Sequence, residues 1–96
     1  MDLLALVRKN KSKILKIAAH YGANNIRIFG SVARGTAGIQ SDIDLLIQLE
    51  AGRSLLDHAG FLVDLETLFK RKVDVVTEKG LRPQFRDKIL KEAIPL

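Results

Sequence analysis

The stretch G-S-V-A-R-G-T-A-G-I-Q-S-D-I-D-L-L-I occupies residues 30–47 and decides how this chain folds. Its second half alternates apolar with polar side chains, which predicts a β-strand over residues 42–49. Asp42 and Asp44 share one face of this strand, with Cα atoms roughly 6.5–7 Å apart. Two carboxylates at that spacing repel each other unless a cation lies between them, and Mg²⁺ prefers oxygen ligands of this kind. The strand therefore predicts a metal site.

A third carboxylate and a glycine–serine pair are predicted to reach the same edge of the sheet. Asp74 lies near the start of a strand predicted over residues 72–77, and Gly30-Ser31 follows a short strand predicted over residues 26–29. If the first strand runs antiparallel to the other two, its end meets their beginnings. This topology would place the glycine–serine pair beside all three carboxylates.

The glycine–serine pair has the chemistry of a phosphate-binding loop. Gly30 permits a close approach of the backbone, and Ser31 offers a hydroxyl and an N–H group at the start of a helical turn over residues 32–36. Arg34, one turn later, adds a charged donor. A phosphate cradle beside carboxylates suits metal-dependent phosphoryl or nucleotidyl transfer. The competing interpretation is that the two aspartates of the strand only make an exposed sheet face soluble.

The remaining sequence predicts helices around these strands. The element order α-α-β-α-β-α-β-α indicates an α+β fold, in which a small mixed sheet of about three strands is covered by helices. The longer helices are predicted over residues 2–9, 11–21, 54–70 and 85–94, with Gly22 ending the second and Ser54 as a candidate N-cap. The side chains predicted to face the core from the last two helices are Leu55, Leu62, Leu65, Leu68, Phe69, Phe85, Ile89 and Leu90.

Composition bounds the classes of function. The chain has 96 residues, which fits a single domain over residues 1–96. It has no cysteine, which excludes disulfides and thiolate metal sites, and its two histidines are far apart in sequence. No apolar run approaches the roughly 18 residues of a membrane span. The amino terminus does not resemble a secretory signal. We therefore expect a cytoplasmic protein.

Charge is distributed unevenly along the chain. Residues 1–40 hold seven basic and one acidic side chain, residues 41–66 one basic and six acidic, and residues 67–96 eight basic and four acidic. This distribution fits a carboxylate site whose surrounding cations favour an anionic ligand, and it fits equally well helix faces that carry solvated charge. A basic domain that binds nucleic acid is a rival interpretation. The five aromatic residues do not alternate with basic ones, which disfavours a stacking platform for single strands.

The residues quoted above resemble a known family. G-S-V-A-R-G over residues 30–35, D-I-D over residues 42–44 and Asp74 in a later strand are similar to the minimal nucleotidyltransferases of the DNA polymerase β superfamily. The resemblance implies a palm-like nucleotidyltransferase fold and a transferase that uses ATP and Mg²⁺, with two ions expected. It implies that Gly30 and Ser31 bind the triphosphate, to which Arg34 adds the charged contact inferred above. It also implies that Asp42, Asp44 and Asp74 hold metal and that Asp74 activates the acceptor. Val32 stands where many relatives carry a basic residue.

The resemblance also implies a partner. Many members of this family are the antitoxin of a pair whose toxin is a small helical HEPN-domain protein. For some members the resemblance suggests that AMP is transferred onto that toxin. The alternative is a non-catalytic antitoxin that neutralises its partner by occlusion. Lys79, Arg82 and Arg86 are further candidates for contacts with triphosphate or partner. The apolar stripe of the first helix (Leu3, Leu6 and Val7) is expected to contact another protein or a second copy of the chain.

Overall fold

The computed structural model describes residues 2–96, which form five α-helices, four strands and one 3₁₀ turn. Each predicted helix and strand is present, and one short strand is additional. The helices are α1 (Leu3–Lys9), α2 (Lys11–Tyr21), α3 (Gly30–Arg34), α4 (Leu55–Phe69) and α5 (Pro83–Glu92). The strands are β1 (Ala23–Phe29), β2 (Ile43–Leu49), β3 (Val73–Thr77) and β4 (Ile94–Pro95), and the 3₁₀ turn is Glu78–Gly80.

The four strands form one mixed sheet in the order β3-β2-β1-β4. β1 runs antiparallel to β2 and to β4, while β2 and β3 are parallel. The α+β prediction is confirmed, and so is the expectation that the first strand runs against the next two. The end of β1 therefore meets the beginnings of β2 and β3 at one edge of the sheet, which we call the acidic edge.

The prediction of about three strands missed β4. The last helix was predicted to continue to residue 94, but it ends at Glu92, and Ala93 is already extended. A residue that precedes proline is disfavoured in helical geometry, so Pro95 forces Ile94 out of the helix. Ile94 then pairs with Ile28 at the free side of β1.

The first strand is also longer than predicted. Ala23 and Asn24 pair with the end of β2, and the register then shifts between Asn24 and Arg27. Asn25 lies within this bulge with a positive φ of 50°. Apolar alternation did not predict this part of the strand, because the two asparagines lie at a bulge and a bulge interrupts the alternation.

Helices and one face of the sheet enclose the core. Ile43, Leu45 and Ile47 of the predicted apolar face of β2 are fully buried, and Leu49 at its end is half-buried. Leu46 is fully buried as well, although the alternation places it on the opposite face together with Asp44. Leu3 and Val7 of α1 belong to the same core cluster as Ile14 of α2. The expectation that the α1 stripe needs a separate partner is therefore wrong, because the chain covers the stripe itself.

Helix α4 begins as predicted but exposes one side chain that was assigned to the core. Ser54 caps it in a capping box with Asp57. The fully buried residues of α4 are Phe61 and Leu65, whereas Leu55 is 79% exposed. Leu55 projects roughly a third of a turn away from Phe61 and so misses the sheet. None of the helices in residues 2–96, including the 15-residue α4, combines the length and hydropathy needed to cross a bilayer.

Helix α5 lies at the surface. None of its residues is buried, and Phe85, which was predicted to face inward, is 51% exposed. Ile89 and Leu90, one turn later, are half-buried, which agrees with the prediction that they face inward. The helix starts near the end of β3 and runs back toward the acidic edge, and its last residue is therefore brought close to the end of β1.

Candidate active site

Three carboxylates lie along the acidic edge. Asp44 and Asp74 are direct partners in the parallel pairing of β2 with β3, so their side chains lie on the same face of the sheet. Asp42 immediately precedes β2. Asp44 and Asp42 are half-buried, and Asp74 is exposed. The structure thus brings together the three acids that the sequence predicted at one site.

The electrostatics of this cluster favour a bound cation. The pKa of Asp44 is raised from 3.8 to about 6, chiefly by burial and then by the charges of Asp74 and Asp42. The guanidinium of Arg34 acts in the opposite direction on the same pKa. A divalent ion would offset the repulsion that opposes ionisation of Asp44.

The carboxylates form an open edge and not a closed cage. Among residues 2–96, no three acidic, histidine or cysteine side chains converge closely enough to enclose an ion by themselves. An open set of oxygen donors fits Mg²⁺, which protein usually holds through one or two carboxylates, with water and substrate phosphates as the other ligands. Asp42, Asp44 and Asp74 are chemically suited to that ion, and their assignment as its ligands stays a prediction.

Gly30 brings the backbone against Asp44. Its φ of +73° lies in the left-handed region, which side chains other than glycine rarely adopt. A Cβ atom built at this position would collide with the carboxylate of Asp44. Phe29, the preceding residue, is the register partner of Asp44 across β1 and β2. Glycine is therefore required here both by conformation and by space.

Ser31 and Arg34 follow Gly30 on the short helix α3. Ser31 is half-buried in the first turn, and Arg34 is exposed in the last. The helix ends at Arg34 and is followed by its C-cap Gly35, which adopts a φ of 76° and donates its N–H to the carbonyl of Val32. The structure therefore places all three residues that were predicted to bind nucleotide next to the acidic edge.

Glu92, which sequence reasoning did not single out, reaches this loop from α5. The N–H of Gly30 donates to Oε2 of Glu92 at 2.7 Å, and Nη1 of Arg34 donates to Oε1 at 3.0 Å. Burial by itself raises the pKa of Glu92, but the hydrogen bonds from Gly30 and Arg34 hold that pKa below its ordinary value. No local sequence motif predicts this contact, because the contact depends on the return of α5 to the end of β1.

A second unpredicted residue, Arg71, shapes the approach to Asp42. Its Nη1 donates to the carbonyl oxygens of Ile39 and Ser41, at 2.7 and 2.8 Å. The hydroxyl of Ser41 in turn accepts the N–H of Gly38 at 2.8 Å. These bonds fix the loop that leads into β2, and thereby the position of Asp42.

The three other candidate cations do not join the acidic edge. Arg86 donates to the carbonyl of Glu78 at 3.0 Å, beyond the far end of β3. Lys79 lines a cleft of about 630 Å³ at that same end. Arg82 precedes α5, whose ten residues place it about 15 Å along the axis from Glu92. The expectation that one of them contacts triphosphate is not supported by these positions.

Comparisons with known proteins agree with this geometry. The family model described as "Nucleotidyltransferase domain" matches residues 6–96. A Methanocaldococcus jannaschii protein named "Putative protein adenylyltransferase MJ0435" is 38% identical over 88 residues, which are 92% of this chain and 95% of that protein. "Protein adenylyltransferase MntA" of Thermococcus cleftensis is 32% identical over 82% of this chain and 80% of its own length.

Solved structures share the fold. A structure described as "Structure of putative minimal nucleotidyltransferase" superposes with a TM-score of 0.87 at 49% identity, covering 100% of this chain and 97% of that one. A structure described as "Crystal structure of the toxin-antitoxin with AMP-PNP" superposes with a TM-score of 0.75 at 20% identity, over 90% of this chain and 71% of that one. At that identity the second likeness concerns the fold alone.

Proposed function

Because this chain belongs to the nucleotidyltransferase domain family, we propose that it transfers AMP from Mg-ATP to a protein acceptor. We propose further that it is the antitoxin of a pair whose toxin is a small helical HEPN-domain protein. One observation carries the chemistry: the paired Asp44 and Asp74 lie on one sheet face, directly beside the Gly30 backbone. Relatives named protein adenylyltransferase support AMP as the transferred group.

Each group of the site has a role in this proposal. Asp42, Asp44 and Asp74 would hold Mg²⁺, with two ions expected. When bound, Mg²⁺ offsets phosphate charge and lowers the pKa of an attacking hydroxyl. The N–H of Gly30, the hydroxyl of Ser31 and the guanidinium of Arg34 bind the triphosphate.

The transfer step balances with these residues. The hydroxyl oxygen of the acceptor bonds to the α-phosphorus as the bond from that phosphorus to the β-phosphate oxygen breaks. Pyrophosphate leaves, and the hydroxyl proton passes to a carboxylate oxygen of Asp74. Asp74 suits this task because it is the exposed member of the cluster and is open to an incoming acceptor.

A protein acceptor is supported by the outer face of α4. Leu55, Leu56 and Val63 are 79%, 84% and 57% exposed, and exposed Ala59 lies between them. The outer face of a surface helix is ordinarily polar, so this apolar face favours contact with another protein.

The remaining parts of the proposal concern the extent and location of the protein. We propose that residues 1–96 act as one minimal nucleotidyltransferase domain in the cytoplasm. The described residues support this view, because all four strands belong to one sheet with one main core cluster. Limited proteolysis of the full chain tests the single-domain proposal, since a cleavage that released a stable fragment would contradict it.

The experiment is transfer of label from [α-³²P]ATP to the small helical HEPN-domain protein of the proposed pair. Asp44→Asn should abolish labelling, while Asp87→Asn, at an exposed position on α5, should not. Labelling that survives Asp44→Asn would overturn the proposal. The same variants, assayed for protection of cells against the partner, distinguish the occlusion alternative, which the apolar face of α4 also supports. Protection that persists without labelling would make occlusion the antitoxin mechanism.

A further inference from the structure

The carboxylate of Glu92 occupies the donors that the proposed function assigns to the triphosphate. Its Oε2 accepts the N–H of Gly30 at 2.7 Å, and Nη1 of Arg34 lies 3.0 Å from Oε1 and 3.2 Å from Oε2. The side chain of Glu92 is only 18% exposed and its bond with Gly30 is partly buried, whereas the side chain of Arg34 is 48% exposed. A carboxylate held in this way resembles a phosphate group in both charge and hydrogen bonding.

We propose that Glu92 is an internal competitor of the nucleotide, which sets the affinity of the site by holding Gly30 and Arg34 until a triphosphate displaces it. The inference rests on the proposed function, because it concerns the same nucleotide site. It assigns to this chain an affinity-setting residue that lies outside the G-S-V-A-R-G and D-I-D motifs.

The competition follows from the chemistry of the donors. A backbone N–H directs its single hydrogen toward one acceptor in a well-aligned bond, so Gly30 serves either Glu92 or a phosphate oxygen. The charge of Glu92 also opposes ionisation of Asp44, which raises the pKa of that residue. Departure of Glu92 therefore removes a negative charge from the site as the anionic substrate arrives.

The exchange requires only a side-chain movement. Glu92 is the last residue of α5, and the N–H of Ala93 is held by the carbonyl of Ile89 at 3.0 Å. Ile94 is paired with Ile28 of β1. The backbone is thus fixed on both sides of Glu92, while its side chain has three rotatable bonds with which to leave the donors.

The chain offers a matched control at the other end of the sheet. Glu78 also pairs with an arginine, Arg27, at 3.2 Å, and its side chain is 20% exposed. It does not contact Gly30, Ser31 or Arg34 in the described structure. Glu78→Gln therefore removes a comparable ion pair without touching the proposed competition.

The test compares the affinity of wild-type protein, Glu92→Gln and Glu78→Gln for Mg-ATP and for Mg-tripolyphosphate by isothermal titration calorimetry. Glu92→Gln keeps the size of the side chain but removes its charge, so we expect about tenfold tighter binding of both ligands. Glu92→Asp keeps the charge with a shorter reach and should bind with intermediate affinity. Glu78→Gln should match wild type. Melting curves establish that each variant is folded at the temperature of titration.

Three outcomes of the titrations would overturn the inference, and two of them leave the proposed function standing. If wild type binds Mg-ATP measurably and Glu92→Gln binds it equally or more weakly, the inference is overturned. Glu92 would then only support the loop, and the proposed function would stand. Tighter binding by Glu78→Gln as well would also overturn it, because the effect would then be one of net charge. Absence of binding in all variants would overturn the proposed nucleotide site together with the inference.

Discussion

The substitution Asp44→Asn separates the cost that the active site imposes on folding from the chemistry it performs. Asparagine keeps the shape of the side chain but cannot ionise. Asp44 lies opposite the core face of β2, where Ile43 and Leu45 are fully buried, so the substitution leaves the core packing unchanged. The structure therefore predicts that Asp44→Asn stabilises the metal-free protein at neutral pH.

The magnitude follows from the pKa of Asp44. Folding raises that pKa from 3.8 to about 6, so the folded protein binds this proton more tightly than the unfolded chain does. Stability from this group is therefore present below pH 4 and is lost as the pH rises through 6. The full shift corresponds to at most about 3 kcal/mol, and screening by water at a half-buried group reduces it to about 1–2 kcal/mol.

The assay is urea unfolding of both proteins from pH 4 to pH 8 in EDTA. The free energy of unfolding of Asp44→Asn should exceed that of wild type by about 1–2 kcal/mol at pH 8, and the difference should vanish near pH 4. Added Mg²⁺ should narrow the difference at pH 8, because the ion stabilises only the protein with the ionised carboxylate. Asp87→Asn is the control and should show no such pH dependence. A wild type that is more stable than Asp44→Asn at pH 8 in EDTA would refute the reasoning.

Three further substitutions test the loop, the approach to Asp42 and the outer face of α4. Gly30→Ala should lower the free energy of unfolding by more than the roughly 1–2 kcal/mol of left-handed strain, because its Cβ atom meets Asp44. The control Gly52→Ala, at a φ of +88° with open space around it, should lose only the strain energy. Equal losses of unfolding free energy in urea would contradict this. Arg71→Ala should weaken Mg-ATP binding by severalfold because two loop carbonyls lose their donor, and unchanged affinity in calorimetry would show that the loop holds itself. Leu56→Asn, at a side chain 84% exposed, should weaken partner binding in pull-downs without lowering the melting temperature; full partner binding would exclude this face from the interface.

The sequence predicted the acidic edge because its determinants are local. Alternation over residues 42–49 established which side of β2 carries Asp42 and Asp44, and the glycine–serine pair marked the end of β1. Only one further assumption was needed, the antiparallel direction of β1, and the structure confirms it. A periodicity of two fixes side-chain direction without any knowledge of distant contacts.

What the sequence did not predict depends on tertiary contacts. Glu92 contacts Gly30, which lies 62 positions away in sequence, and Arg71 contacts Ser41, which lies 30 positions away. No spacing rule connects residues this far apart. Leu55 was assigned to the core because it was counted in the apolar stripe of α4, although the sheet lies on another side of the helix. The short β4 was missed because two residues carry no detectable alternation, and only Pro95 indicated that the helix must end.

The position of Glu92 couples the stability of the free protein to the affinity of its nucleotide site. The bonds from Gly30 and Arg34 join α5 to α3 when no ligand is bound, and a triphosphate would use the same donors. A measured affinity therefore reports the difference between triphosphate binding and Glu92 binding, and not the strength of an empty cradle. It follows that Glu92→Gln should lose stability in the free protein while gaining nucleotide affinity. Glu78→Gln should lose stability without that gain, since its ion pair with Arg27 lies away from the donors of the loop.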